Sequence, residues 1–477
     1  MPNLKLNIFW NVIRVGSNML FPIITLPYVN RVLGAYNIGL YNYINSIVTY
    51  FILFASLGFP LYGTREVTKV RDNNELEVKV NSIFTSNIIS SFIVMIFYLT
   101  FVKYFFNSDV ALCLVLGVAI LLNSLSFDWF FQGVEEFKYI TIRSVVFKLA
   151  SIIALFLLVK SRDDIVIYAI INTIALFGSN IANCWKINSY LKLRFKFKIR
   201  DIIQNIRGAS MLFIGSVIAS LYTQINAVML GSLGSVVAVA YYTTGDKFVQ
   251  MSLQILNSFS MAVMPRISYM KRQTDNERQT YILQKKVFNM IMLISVPMSI
   301  GLFVTSEEII NVFAGHEFLP AVFVLKSLSF NVILIPLSIF FSFHVLYPIG
   351  KEKYSNYCTL TASFFNIFLN VILIPVLSYK AVVISILVSE SIVMTMHYYY
   401  SKRYFQLSLI EFFKYKIFFP AILAGIISSQ LSFGDSFINL LFKIFFFGFI
   451  YTLCLLILRE EVFMSFINNI RQIFIKK

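Results

Sequence analysis

Charge is scarce in this chain. Of its 477 residues only 13% are Asp, Glu, Lys or Arg, while 58% are hydrophobic and the mean hydropathy is +0.77. That charged share is about half of what a soluble globular protein carries. No soluble fold hides so much apolar surface. A cytosolic enzyme, a nucleic-acid-binding domain and a disordered chain are therefore excluded. Cysteine is scarce too: Cys113, Cys184, Cys358 and Cys454 are far apart, lie in apolar runs and show no CxxC spacing. Neither a disulfide framework nor a zinc site is expected. His316, His344 and His397 have no metal-ligand spacing, and no metal or cofactor is expected. No Walker A loop, D-x-D or H-x4-D motif is present, so ATP hydrolysis, nucleotide-sugar transfer and acyl transfer lack their usual residues. A cleavable leader is not expected, because Met1 to Asn7 runs directly into an apolar segment without an A-x-A exit.

What the chain has in excess is long apolar runs. A spanning helix needs roughly 20 mostly apolar residues. Fourteen stretches qualify: 8–30, 38–62, 81–103, 110–131, 144–160, 165–188, 209–231, 239–264, 287–305, 319–348, 357–377, 380–400, 417–433 and 436–458. The weakest is 417–433, so the expected number is 12–14. The protein is expected to be an all-α integral membrane protein, since helices satisfy their own backbone in lipid. With the N-terminus inside, cytoplasmic segments hold 30 of the 40 Lys and Arg and outer segments hold 5. This asymmetry places both termini in the cytoplasm. The net charge of +17 then belongs to the inner face, where anionic lipid attracts it. All loops are short, so function is expected within the bilayer.

Two passages recur. VNRVLGAYNIGLYNYINSI (29–47) resembles INAVMLGSLGSVVAVAYYTTGDKFV (225–249), and FFQGVEEFKY (130–139) resembles LYPIGKEKY (346–354). Each pair falls at corresponding span ends and in the same order. The repeat covers six spans, an even number, so two parallel six-helix bundles are expected. The expected organisation is a first bundle at 1–188, a basic cytoplasmic linker at 189–208, and a second bundle at 209–405. Two additional spans follow at 406–458, then an amphipathic surface tail at 459–477. Two bundles imply a cleft that alternately opens to either side.

Charged residues inside spans carry the functional information, because each costs roughly 2.5–3.5 kcal/mol at a helix centre. Arg14 and Lys148 lie some way in from the inner side, Lys247 and Lys326 from the outer side. A cavity lined by these four cations would attract a large anion. Asp128, Asp246 and Glu390 are the acids available for gating or for a coupling ion. Glu390 is flanked by Ser385, Ser389 and Ser391, which suits a wet helix face. Lys443 is expected to snorkel to the outer interface.

TLPYVNRVLG (25–34), LYGTREVTKVR (61–71), FDWFFQGVEEFKYITIRSVVFK (127–148), YYTTGDKF (241–248), MPRIS (264–268), PIGKEKY (348–354) and LNVILIP (369–375) resemble bacterial Wzx-type polysaccharide repeat-unit flippases. Those belong to the multidrug/oligosaccharidyl-lipid/polysaccharide exporter superfamily. The resemblance implies a V-shaped two-bundle fold with a central cationic cavity, and no enzymatic activity. It implies an undecaprenyl-pyrophosphate-linked oligosaccharide as substrate, moved to the outer leaflet of a bacterial plasma membrane for O-antigen or capsule. It also implies a proton or sodium gradient as driving force; a polysaccharide polymerase is a further expected partner, besides membrane lipids. The alternatives are a lipid II flippase, a multidrug antiporter, or a membrane-embedded polymerase. A polymerase should have a large outer loop or an acidic metal motif, and an antiporter an acidic cavity.

Overall fold

In the computed structural model the described residues are 4–71, 75–195, 198–271, 277–406, 414–432, 434, 436–465 and 467–468. They are helical, with no strand among them. Ten helical stretches of these residues are long and apolar enough to cross a membrane. The first, Phe9–Val70, takes in two expected spans, 8–30 and 38–62. The expected spans 209–231 and 239–264 fall in helices of 35 and 36 residues, and 417–433 in one of 16. At 1.5 Å per residue that last helix is roughly 24 Å long, short of the ~30 Å hydrocarbon core.

The chain divides into two compact units, Met1–Ser232 and Leu233–Lys477. The first unit opens with α1 (Leu4–Ser56), which is two helices joined at Gly34. Gly34 has φ 75° and ψ 172°, a conformation that side chains with a Cβ avoid. The kink is tied down on both sides: Tyr28 donates to the Val159 carbonyl at 2.6 Å and Asn37 to the Arg162 carbonyl at 2.7 Å. There follow α2 (Phe59–Val70), α3 (Leu76–Phe105), α4 (Val110–Ser124), α5 (Asp128–Gly133) and α6 (Phe137–Leu158). Next come α7 (Ile165–Thr173), α8 (Ser179–Ile187) and α9 (Ile199–Leu233). At the Lys/Arg-rich end, Phe59, Val67, Ile83, Phe127, Trp129, Phe130 and Phe131 form one buried cluster. The FDWFFQG block is thus mainly a packing device.

The described part of the expected basic linker, 189–208, is fastened to the first unit. Asn81 Nδ2 donates to the Lys192 carbonyl and its Oδ1 accepts from the Arg194 amide, both at 2.9 Å. Asn205, buried in the first turns of α9, donates to Ser82 at 2.7 Å and Ser86 at 3.2 Å and accepts from Tyr62 at 3.2 Å. A long helix that begins with buried amides cannot act as a free strap. The boundary between units accordingly falls after Ser232, beyond the expected start of the second bundle at 209.

The second unit contains α10 (Val236–Lys271), α11 (Glu277–Val304), α12 (Ser306–Phe313), α13 (Ala321–Leu328), α14 (Asn331–Ile339), α15 (Glu352–Leu377) and α16 (Tyr379–Ser401). The last two spans, α17 (Tyr415–Gln430) and α18 (Ser436–Ile457), share its core. Ala421, Ala424, Phe447 and Tyr451 pack with Phe288, Met292 and Val296 of α11. Small residues let helices approach closely, which is what association in lipid requires. The expected surface tail begins against this core: Glu460 is buried, its Oε2 accepts from the Phe463 amide at 2.8 Å, and Phe463 packs on the cluster. Residues 466 and 469–477 of that tail lie outside the described residues.

The expected spans 110–131 and 319–348, one in each unit, are both interrupted. In the first, α4 stops at Ser124 and α5 starts at Asp128. Asn87 on α3 donates to the Ser124 carbonyl, and Asn180 on α8 to the Leu122 carbonyl. In the second, α14 runs into a wide π-type turn, Phe340–Leu346. Gln284 on α11 donates to the His344 carbonyl at 2.6 Å, and His397 on α16 bonds Ser338 at 2.8 Å. Gln284 follows Asn87 by 197 residues, the interval from Gly34 to Gly231; His397 follows Asn180 by 217, the interval from Gly133 to Gly350. A broken span frees backbone carbonyls, and in each unit a side-chain amide from the preceding span, α3 or α11, satisfies one.

Candidate functional site

In the first unit, α6 lies along α1, and Thr141 donates to the Trp10 carbonyl at 2.9 Å to hold the two together. About two turns further along α6, Lys148 is buried, at 6% exposure. Its Nζ donates to Asn18 Oδ1 and, at 3.3 Å, to Ser17 Oγ. Ser17 in turn donates to the Arg14 carbonyl at 2.8 Å, and Arg14 bonds Asn11 at 3.0 Å. The structure therefore brings together the expected inner pair, Arg14 and Lys148. Among the described residues neither meets a carboxylate. Two cations held by hydroxyl and amide oxygens inside a span leave the local charge uncompensated, which favours an anion.

Asp128 has a different setting. Its Oδ1 accepts from Arg143 Nη2 at 2.7 Å, and Arg143, almost fully buried, also bonds Asn183 on α8. Arg143 was invisible as a functional candidate because it counts as a loop cation in the sequence. The break after α4 folds α5 back so that Asp128 reaches α6, and this pair accounts for Asp128 without any bound ion.

In the second unit the expected outer pair is not brought together. Gly245 on α10 faces α13 so closely that a Cβ there would lie 2.8 Å from Val324 Cβ and 3.0 Å from the Ala321 carbonyl. Lys247 and Lys326 each sit two residues past this contact, about 200° around their helices. Both are exposed and point away from the α10–α13 seam. Lys326 Nζ lies 4.7 Å above the Phe303 ring, a cation–π contact rather than a polar one. Lys247 makes no hydrogen bond or ion pair among the described residues. Asp246 is half-buried and accepts from Gln250 at 3.3 Å.

Glu390 is buried on α16, at 5% exposure. The expected wet face beside it is corrected in part. Ser385 and Ser389 are fully buried, and their hydroxyls bond their own helix at the carbonyls of Ala381 and Ser385. Ser391 alone is exposed, and with Thr395, Leu387, Val388, Ile392 and Met396 it lines an open space of about 480 Å³. Lys443 corrects a second expectation. It does not snorkel: it is buried at 8% exposure and paired with Glu308 of α12, which also accepts from Asn439 at 3.0 Å. The reason is a carboxylate 135 residues away in sequence, which pays the desolvation that snorkelling would otherwise avoid.

These features define an all-helical, multi-span integral membrane protein with cations inside its first unit. The fold is shared with known transporters. A structure of the lipid II flippase MurJ, inward closed, superposes with a TM-score of 0.73 at 14% identity, covering 96% of this chain and all of that one. An inward-facing multidrug resistance MATE family transporter of the MOP superfamily gives 0.55 at 14% identity, covering 81% and 93%. In sequence, a protein of Escherichia coli (strain K12) named "Putative O-antigen transporter" is 25% identical over 398 residues, 82% of this chain and 95% of its own. The capsular polysaccharide biosynthesis protein CapF of Staphylococcus aureus is 22% identical over 376 residues, 77% and 92%. The family model described as polysaccharide biosynthesis protein matches residues 4–271, and the chain belongs to that family.

Proposed function

We propose that this protein flips an undecaprenyl-pyrophosphate-linked oligosaccharide from the cytoplasmic to the outer leaflet of a bacterial plasma membrane, by alternating access and driven by an ion gradient. The observation that carries the reading is the Arg14–Lys148 pair, two cations held within one helix pair without a carboxylate. A pyrophosphate supplies the anion such a pair lacks, and a polyprenyl chain can remain in lipid while the head group crosses. Family membership and the names of the relatives, which concern O-antigen transport and capsular polysaccharide biosynthesis, support the choice of a polysaccharide precursor. In this reading the Lys/Arg-rich ends of both units face the cytoplasm. Lys247 supplies a later contact for the anion, and Asp246 and Glu390 are carboxylates available to the coupling ion.

Reconstitution tests the reading. Purified protein in vesicles carrying the lipid-linked oligosaccharide on the inner leaflet should expose the sugar to an outside lectin, and vesicles carrying lipid II should not respond. Exposure at the rate of empty vesicles would refute the proposal, and a response to lipid II alone would reassign the substrate.

A further inference from the structure

The second unit contains a buried chain of hydrogen bonds around His397, and none of the charged groups so far named takes part in it. Nδ1 of His397 bonds Ser338 Oγ on α14 at 2.8 Å, and Nε2 bonds Ser355 Oγ on α15 at 3.2 Å. Ser355 bonds Ser342, inside the wide turn, at 2.6 Å. All four side chains are buried, His397 at 4% exposure. Among the described residues the imidazole joins the helix before the turn to the helix after it, and Ser355 joins that helix to the turn itself.

Both partners of the ring are hydroxyls, and a hydroxyl is donor and acceptor at once. The neutral ring donates from one nitrogen and accepts at the other. When a proton adds to the free lone pair, the serine that had donated there rotates its hydroxyl and accepts instead. If that serine is Ser355, its own O–H turns to Ser342. The proton stays on the ring, and the Ser342–Ser355 bond reverses direction, Ser342 changing from donor to acceptor. Both N–H groups of the imidazolium then meet a hydroxyl oxygen, which offsets part of the desolvation that burial of the charge imposes.

His344 is the contrasting case. Its Nε2 bonds Ser260 at 2.7 Å, but its Nδ1 is buried with no partner. A second proton there would leave a charged donor unbonded, which a buried site does not tolerate.

The surroundings of His397 are poor in other titratable groups. The elements packed on α16 are α15, α14, the wide turn, α13 and α10. α14 has none. α15 brings Tyr354, stacked on Tyr400, the buried Cys358, and the exposed Glu352, Lys353 and Tyr357, while Tyr347, just past the wide turn, bonds Ser355 itself. The wide turn brings His344. Lys326 on α13 and Asp246 on α10 belong to the opposite end of the unit, and Arg266 of α10 is exposed. On α16 itself Glu390 is two turns away, about 10 Å along the axis. His397 makes no ion pair among the described residues.

We propose that His397 is the site that takes up and releases the coupling proton, with Ser338, Ser355 and Ser342 as the hydroxyls that adapt to it. The proposal rests on the translocation reading above, names its ion, and places the coupling at His397 in preference to Asp246 and Glu390. Because Ser338 and Ser342 flank the start of the wide turn, a change of protonation changes which hydroxyls hold that turn. A proton bound at the ring is thereby linked to the shape of the broken span.

The test uses vesicles containing the full chain, the lipid-linked oligosaccharide and a trapped pH-sensitive dye. Two signals are read: sugar reaching the outer leaflet, and proton movement that depends on the oligosaccharide. Glutamine keeps the hydrogen bonds of the ring but cannot carry the proton. His397→Gln should lose at least nine-tenths of the substrate-dependent proton movement and all acceleration by an imposed pH gradient, while slow equilibration of sugar between leaflets persists. His344→Gln should keep the proton signal. Proton movement by His397→Gln at the parent's rate overturns the proposal, as does loss of it in His344→Gln alone. A His397→Gln chain that loses both signals in equal measure shows a structural role and also overturns it. Should the parent move no sugar at all, it is the translocation reading that fails; should it move sugar without protons, the coupling proposal alone fails.

Discussion

Arg143 Nη2 donates to Asp128 Oδ1 at 2.7 Å, tying α6 back to α5 across the turn that follows Gly133. The arginine is buried and the carboxylate is partly open, at 6% and 29% side-chain exposure. Removing the acid leaves a buried guanidinium with Asn183 and the face of the Tyr139 ring, and no charge, to meet it. Asp128→Asn should therefore lower the stability of the protein in detergent by about 1–3 kcal/mol. Arg143→Gln in the same chain should recover part of that loss, because the orphaned charge is then gone. Unfolding monitored by tryptophan fluorescence, which reports Trp129 beside the pair, measures both. Unchanged stability of Asp128→Asn together with lost gradient coupling would return Asp128 to the set of ion-linked acids.

Glu308 and Lys443 form the second buried pair, between α12 and α18. Lys443→Met should destabilise by about 3–5 kcal/mol, because it leaves Glu308 charged and unpaired in the interior. Glu308→Gln combined with Lys443→Met should be milder than Lys443→Met alone. The fraction of monodisperse protein after heating, compared across the parent and the two variants, decides the matter. Equal stability of parent and Lys443→Met would mean that the pair contributes nothing to holding the last helix.

The sequence carried the periodic features of this protein and little of what depends on helix rotation. Gly34 was legible as a break because a Leu-Gly pair recurs at Gly231. Arg14 and Lys148 were legible as partners because both lie at similar depths in spans of one bundle. Depth is a one-dimensional property and can be counted along the chain. Direction is not: that Lys247 and Lys326 point away from each other follows from the Gly245–Val324 contact, which no spacing announces. Arg143 was hidden because the break at 125–127 moves the start of α6 and draws a loop cation into the interior. His397 was dismissed for want of metal-ligand spacing, yet its partners are serines on two other helices.

The separation of Lys247 from Lys326 predicts unequal phenotypes. Lys326→Met should reduce surface polysaccharide by less than about twofold, since a cation–π contact at an exposed site is worth only about 0.5–1 kcal/mol. Lys247→Met should reduce it more strongly, because the exposed ammonium has no hydrogen-bond or ion-pair partner among the described residues and is open to an anion. Polymer on the cell surface, quantified against the amount of protein in the membrane, checks the ratio. Equal losses would show that the two lysines serve one site in another conformation of the second unit.

The inner pair yields the sharpest expectation. Lys148 is held by Asn18 and Ser17, and Ser17 also holds the Arg14 carbonyl, so one lysine organises this stretch of α1. Arg14→Ala removes charge but not that scaffold. It should lower sugar translocation on the order of tenfold, corresponding to about 1.4 kcal/mol of lost binding to a diphosphate. Lys148→Ala removes charge and scaffold together and should abolish transport while the chain still inserts. Lys148→Met separates the two effects: it fills the space without the cation, so restored stability without restored transport assigns the role to charge. Lys148→Arg should regain part of the rate, because the pyrophosphate needs positive charge more than one fixed geometry. The measurements are lectin-detected translocation in vesicles and inhibition of it by inorganic pyrophosphate. Parent and Arg14→Ala should differ in the pyrophosphate concentration that inhibits by half, the variant needing more. Normal transport by Lys148→Met would remove the cationic pair from the mechanism, and with it the observation on which the assignment of an anionic substrate rests.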